Sequence, residues 1–389
     1  IWDLDGRKFL DLGFMGVGTN ILGYSHPVVD DAVRAVVDKG NLSTLNAPEE
    51  VYLAEDLIAL HPWADMVRYA RSGGEACAIA VRIARAASGK DKVAFCGYHG
   101  WHDWYLAANL TDDDSLEGHL LPGLAPNGVP QALAGTSIPF HYNDLDGLTT
   151  LLDDNPDIGV IYLEPQRSTP PEPGFLEGVR ELATKHGAVL IFDECTSGFR
   201  RTLGGLHLHF GVEPDIATFG KTLGNGYAIT AVIGRQEVMQ AAQSTFISST
   251  FWTERIGPTA ARAALAVMRE EDAPAQVHEI GSGVQERWLE LARSNNMAIT
   301  VGGLPALANF TIDGLDPISV RTFITSRMLD AGYLAGVNLY VSVAHTPNIL
   351  DDYFAALDPL FAELAGMDNE TLDAQLPDGP AQTGFRRLT

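Results

Sequence analysis

Of the six lysines in this 389-residue chain, Lys221 has the setting that chemistry would need. It closes the apolar run Asp215-Ile216-Ala217-Thr218-Phe219-Gly220-Lys221 and opens a loop containing Gly224 and Gly226. An amine at the edge of a core is open to desolvation, which lowers its pKa and leaves more free base to condense with an aldehyde. A solvated lysine at a strand end fits the same position, and Lys221 alone does not decide between the two. Lys8, Lys39, Lys90, Lys92 and Lys185 fall in turns, polar loops or near a helix end.

The elements that position Lys221 place four other groups beside it. Apolar runs at Met66–Tyr69, Val93–Cys96, Ile158–Leu163, Val189–Phe192, Ile216–Phe219 and Ala231–Ile233 alternate with helical patterns, notably over residues 75–87 and 175–186. That alternation predicts an α/β fold with a mostly parallel, doubly wound sheet, in which ligands gather at the carboxyl ends of the strands. The first run leads into Ser72-Gly73-Gly74-Glu75, small residues at a helix start, where exposed N–H groups suit a phosphate or form a plain glycine turn. The second leads into Tyr98-His99-Gly100-Trp101-His102, an aromatic that could lie on a planar ring beside histidines with no third metal ligand nearby. Glu164-Pro165 follows the third run and is either a turn device or a site pair. At Asp193-Glu194, five apolar residues lead straight into two acids. A buried carboxylate needs a partner, either an arginine such as Arg200 or Arg201 or a protonated ring nitrogen. Anion cradle, aromatic, carboxylate and amine together are what a phosphorylated pyridine aldehyde requires.

The motifs that carry these groups resemble those of the class III pyridoxal-phosphate aminotransferases of fold type I, closest to the glutamate-1-semialdehyde 2,1-aminomutase-like group. The resemblance runs from Trp2-Asp3-Leu4-Asp5-Gly6 and Gly23-Tyr24-Ser25-His26-Pro27 through Ser72-Gly73-Gly74-Glu75-Ala76, Tyr98-His99-Gly100 and Asp193-Glu194 with Ser197-Gly198-Phe199-Arg200 to Gly220-Lys221 and about residue 270. It implies Lys221 and Asp193 as catalytic residues, one on the aldehyde and one on the pyridine nitrogen. Ser72, Gly73, Gly74, Tyr98, His99, Glu164 and Thr250 complete the implied cofactor set. Thr250 would reach the phosphate of the other subunit, so a homodimer with shared sites is implied.

Two departures bear on activity. Gly74 stands where the phosphate turn usually carries Ser or Thr, removing a hydroxyl. The aminomutase's substrate-side stretches are replaced by Thr250-Phe251-Trp252-Thr253-Glu254 and Glu164-Pro165-Gln166-Arg167. The expected activity is therefore ping-pong transfer of an amino group from a donor to a keto or aldehyde acceptor, for which the resemblance suggests a sugar. An intramolecular 2,1-amino shift is the alternative, and a non-catalytic cofactor-binding relative a third. Arg167, Arg200 and Arg255 are candidates for a substrate carboxylate.

Composition sets the outer bounds. A net charge of −24 disfavours nucleic acid and anionic membranes as partners. Cys77, Cys96 and Cys195 have no paired spacing and read as buried free thiols, with no metal site expected and a cytoplasmic location. No apolar run reaches spanning length, and because the chain begins at Ile1 inside an apparent hairpin, a preceding segment is expected. The division expected is residues 1–48 as N-terminal strands and helix, 49–265 as the large cofactor domain, and 266–389 as a smaller α+β domain. Residues 111–137 read as a long polar loop, suited to an active-site flap.

Overall fold

The computed structural model describes residues 1–381 apart from 113, 114, 117, 118, 120–123 and 167. Its strands are β1 (Leu10–Asp11), β2 (Met66–Ala70), β3 (Lys92–Cys96), β4 (Ser137–Pro139), β5 (Ile158–Leu163), β6 (Val189–Glu194), β7 (Ile216–Phe219), β8 (Thr230–Gly234), β9 (Ile299–Gly302), β10 (Leu307–Ile312), β11 (Tyr333–Leu334) and β12 (Asn338–Tyr340). Seven of them form one sheet in the order β2-β8-β7-β6-β5-β3-β4. Strands β3 to β7 pair in parallel, and β8 is antiparallel to both of its neighbours.

Strands β5 and β6 are buried at every position because helices cover both faces of the sheet. On β5, Val160 and Tyr162 pack with Ala76, Ile79, Ala80 and Ile83 of the helix Gly73–Ser88. The alternate residues, Ile161 and Leu163, pack with Phe175, Leu176, Val179 and Ala183 of the helix Phe175–His186. The period-two alternation of a strand thus feeds two separate cores, and chemistry is left to the strand ends.

The remaining strands form a three-stranded antiparallel sheet, β12-β10-β9, and a parallel pair, β1-β11. Trp288, Phe310, Phe323 and Phe361 are buried together behind the three-stranded sheet. The expected hairpin at residues 1–12 is reduced to an antiparallel bridge between Trp2 and Lys8, and Leu10–Asp11 pairs instead with Tyr333–Leu334. A short amphipathic strand takes its partner from whichever edge the tertiary fold presents. Part of the 111–137 stretch lies outside the described residues. Its end, Ser137, begins β4, an edge strand that tolerates Pro139.

One backbone segment is strained. Met15, Gly16, Val17 and Gly18 all lie in the left-handed region, with φ of 44°, 63°, 58° and 81°. For Met15 and Val17 this conformation costs roughly 1–2 kcal/mol per residue. A side chain at Gly18 would place its Cβ 2.6 Å from Arg200 Nη2. The turn is pinned there by Arg200 Nη2, which donates to Gly18 O at 2.5 Å.

Candidate active site

Lys221 follows β7 and sits at φ 40°, a left-handed position that a non-glycine residue adopts at a cost. Its Nζ donates to Thr196 Oγ1 at 2.7 Å. Thr196 is three residues beyond Asp193, which stands next to last in β6 and is 4% exposed. One Asp193 oxygen, Oδ1, accepts from the Cys195 N–H at 3.0 Å and from the Thr218 hydroxyl at 3.1 Å. The other, Oδ2, lies 2.7 Å from His99 Nδ1 and 3.5 Å from Cys77 Sγ.

The second ring nitrogen of His99, Nε2, points at Cys96 O, 3.1 Å away. Both nitrogens therefore face oxygen acceptors. Its plane is fixed by stacking on Tyr162, with centroids 4.2 Å apart and planes 11° apart. Burial pushes the Asp193 carboxyl up, but the hydrogen bond and attraction of His99 and the Cys195 N–H outweigh it, so the group lies below its ordinary value. Asp193 is thereby kept an anion in a nearly dry site.

The partner of Asp193 is thus a histidine and not an arginine. Arg200 is 1% exposed and donates from Nε to Thr196 O at 2.6 Å as well as to Gly18 O. Burial pushes its guanidinium down to about 10. Arg255 is committed elsewhere, to both carboxylate oxygens of Glu49 at 2.6 and 3.1 Å. Arg167 lies outside the described residues.

The helix Gly73–Ser88 starts at the carboxyl end of β2, with Ser72 as its exposed N-cap in extended conformation and no side-chain capping bond. Its first N–H groups are therefore left open to an anion. A Cβ on Gly73 would lie 3.8 Å from Cys195 Sγ, and one on Gly220 would lie 3.5 Å from it. Cys195, partly exposed, is thus the floor between the helix start and Lys221. Tyr98 follows β3, with its ring edge-on to Tyr105 at 5.8 Å and its N–H 3.5 Å from Glu164 Oε2. The structure therefore brings Ser72, Gly73, Gly74, Tyr98, His99, Glu164, Asp193 and Lys221 to one edge of the large sheet. Thr250 lies exposed on the loop before the helix Ile256–Glu270, and no hydrogen bond joins it to them among the described residues.

Sequence reasoning did not single out Thr196 or Thr218, and it read Cys77 and Cys195 only as buried free thiols, which they are, though Cys195 is partly exposed. Cys77 and Cys195 are 118 positions apart and yet, with Asp193, place their ligand atoms within 4.8 Å of one another. Hydrogen bonding to Cys195, burial and the nearby Asp193 push the Cys77 thiol well above its ordinary value, so it is a neutral donor. Spacing held no signal for this pair. Thr196 did have one, since it lies one turn from a carboxylate already suspected.

These residues fit pyridoxal phosphate. Open helix N–H groups beside glycines would take the phosphate, a shielded anion would take the ring nitrogen, and an amine stands at the opposite side of the floor.

Comparison with known proteins gives the same picture. Residues 1–344 match the family described as Aminotransferase class-III. A 278-residue stretch is 38% identical to 3-aminobutyryl-CoA aminotransferase of Cloacimonas acidaminovorans (strain Evry), covering 69% of this chain but only 63% of that relative's length. In fold, the chain superposes on the FumI protein of Sphingopyxis sp. MTA144, solved in its PLP internal aldimine form, with a TM-score of 0.84 at 22% identity, over 96% of this chain and 89% of that one. An omega-transaminase from Sphaerobacter thermophilus gives 0.82 at 24% identity, over 94% of this chain and 89% of that one. At such identities the likeness is one of fold, and it is the fold-type-I architecture that the family resemblance implied.

Proposed function

Since this chain belongs to the class-III aminotransferases, we propose that it moves an amino group from a donor to a keto or aldehyde acceptor with pyridoxal phosphate as cofactor. The observation that carries the proposal is the pairing, at one sheet edge, of Lys221 on Thr196 with Asp193 on His99. When bound, the cofactor supplies an electron-accepting ring that stabilises the charge left as a substrate C–H bond ionises. Lys221 Nζ would hold the aldehyde and, once displaced by an amino substrate, carry the substrate proton. The Thr196 hydroxyl orients that amine. Asp193 would hold a proton on the ring nitrogen, because His99, Thr218 and the Cys195 N–H keep its own charge in place. Tyr98 and Cys195 would cover the two faces of the ring, and Glu164 braces the Tyr98 backbone.

We further propose a homodimer in which Thr250 completes the partner's phosphate site. Support comes from the large apolar side chains left exposed around it and around the helix start: Phe246 at 85%, Leu45 at 77%, Trp101 at 68% and Phe251 at 57%. The division at residues 48 and 265 and a cytoplasmic location belong to the same proposal. No helix among the described residues is long and apolar enough to cross a membrane.

The relative named for 3-aminobutyryl-CoA supports a β-amino acyl thioester over a sugar as the first substrate to test. Arg200 and Arg255 point the same way, since both are taken by partners within the chain and neither is open to a substrate carboxylate. The test is to add single donors, without acceptor, to protein carrying pyridoxal phosphate and to follow the cofactor's visible band. Bleaching by one donor, absent in Lys221→Ala, identifies a half-reaction and its donor. No bleaching by any donor, with a response only to glutamate semialdehyde, would replace transfer by the intramolecular shift. A chain that binds the cofactor but responds to no amine is the non-catalytic relative.

A further inference from the structure

The helix start that would receive the phosphate contains an anomaly. Gly74 lacks a side chain, and the space one would fill is taken by His102. A Cβ built on Gly74 would lie 2.9 Å from His102 Nδ1 and 3.1 Å from the neighbouring ring carbon. The packing is close all round: a Cβ on Gly100 would fall 2.7 Å from Gly74 Cα, and Gly100 takes φ 95° to allow the approach. His102 is braced from behind by Trp101, with ring centroids 4.5 Å apart and planes 26° apart. The residue is half-buried, but its Nδ1 is buried and has no hydrogen-bond partner among the described residues. A buried imidazole nitrogen without a partner costs free energy on the order of 1–3 kcal/mol, so a water or a ligand ordinarily satisfies it.

We propose that His102 is a phosphate-binding residue: its Nδ1–H donates to the cofactor phosphate and replaces the hydroxyl that a Ser or Thr at position 74 would supply. The proposal rests on the cofactor assignment above. Three independent features agree with it. Nδ1 points at the first turn of the Gly73–Ser88 helix, where the helix dipole already favours an anion. A side chain at position 74 and the imidazole at position 102 exclude each other sterically, so the two are alternative ways to furnish one donor. His102 also lies outside the Asp193 network, whereas His99 has both nitrogens engaged within it. A hydrogen bond from imidazole to phosphate is charge-assisted and belongs to the stronger class.

The experiment is a cycle of variants, His102→Ala, Gly74→Ser and the double variant, read by equilibrium binding of pyridoxal phosphate and of pyridoxal, which lacks the phosphate. His102→Ala should bind pyridoxal phosphate about 10- to 100-fold more weakly, the loss of one hydrogen bond to a charged group, and pyridoxal as wild type does. Gly74→Ser alone should also weaken pyridoxal phosphate, because its Cβ meets the imidazole. The double variant should recover most of the affinity, since the hydroxyl then enters the space the ring has left. The phosphorus resonance of the bound cofactor should shift in His102→Ala and return toward its wild-type position in the double variant. Equal loss for both ligands, or no recovery in the double variant while circular dichroism shows a folded chain, overturns the role. Unchanged pyridoxal phosphate affinity in His102→Ala overturns it as well. If the wild-type chain binds neither ligand, the cofactor assignment itself has failed, and this is a separate result.

Discussion

Asp193 and Glu194 are neighbours on β6, and each pairs with a buried histidine at almost the same distance, 2.7 Å to His99 and 2.8 Å to His207. Strand alternation sends them to opposite faces. Around Glu194 every donor and acceptor is matched within the protein. Its Oε1 accepts from the backbone and ring of His207, both at 2.8 Å, and its Oε2 accepts from the Ser197 hydroxyl at 2.5 Å. Trp63 donates to His207 Nε2 at 2.9 Å, which leaves Nδ1 to donate to Glu194. The adjacent His61 accepts the Gly205 N–H on Nε2 at 2.9 Å and donates from Nδ1 to Leu57 O at 2.8 Å. Around Asp193 the loosest partner is a thiol at 3.5 Å, and the floor residue Cys195 is partly exposed. A carboxylate–histidine pair is therefore not a functional signature in itself. What separates the two is whether the shell around the pair is closed.

This contrast can be broken, beginning with its largest effect. Asp193→Asn should lower the rate of the donor half-reaction about 10^3-fold, the scale of losing one preorganised charge, in a protein that stays folded. Glu194→Gln should do the reverse. It should destabilise the chain by about 1–3 kcal/mol in urea titrations, because the amide cannot accept all the hydrogen bonds the carboxylate does and leaves a buried donor unmatched, and leave the rate of the folded fraction within a few-fold of wild type. A Glu194→Gln protein that is stable but as slow as Asp193→Asn would mean that the two faces are not separate.

The pH dependence sharpens the same point. Burial pushes His61 down to about 4 from its ordinary 6.5, so it is neutral in the folded chain. A depressed folded value means that its stabilising contribution is complete above about 6.5 and is lost as pH falls toward 4, about 3 kcal/mol in all. His61→Gln should flatten the urea-measured stability profile across that window. Asp193 and Glu194, both held below their ordinary values, would cause losses only at lower pH. The smallest expected effect is that of Trp63→Phe, which removes the cap on His207 and should cost about 1 kcal/mol of stability with no change in rate.

Much of this was legible in the chain. The runs Ile158–Leu163 and Ile216–Phe219 are strands with those same limits, and 175–186 is a helix with those limits. Long apolar runs between glycine and polar punctuation have only one way to be buried, between helices. The residue types that follow the strands could also be read, because a parallel sheet sends all its carboxyl ends to one edge. Other elements fared differently. The edge strand Ser137–Pro139 and the helices Leu145–Asp154 and Pro317–Asp330 went unassigned, and the first hairpin took another partner. Their local preferences are weak, and tertiary contacts decide them.

The sequence by itself determined the α/β layering, the sheet edge and the residue types gathered there, because these follow from periodicity and from the direction of parallel strands. Only the tertiary structure decided which partner each received. Asp193 is paired with His99 and not with an arginine, Cys77 meets Cys195 across 118 positions, and His102 fills the space that Gly74 leaves. Periodicity acts over a few residues along the chain, whereas a hydrogen bond is set by a few tenths of an ångström between residues that the chain holds far apart.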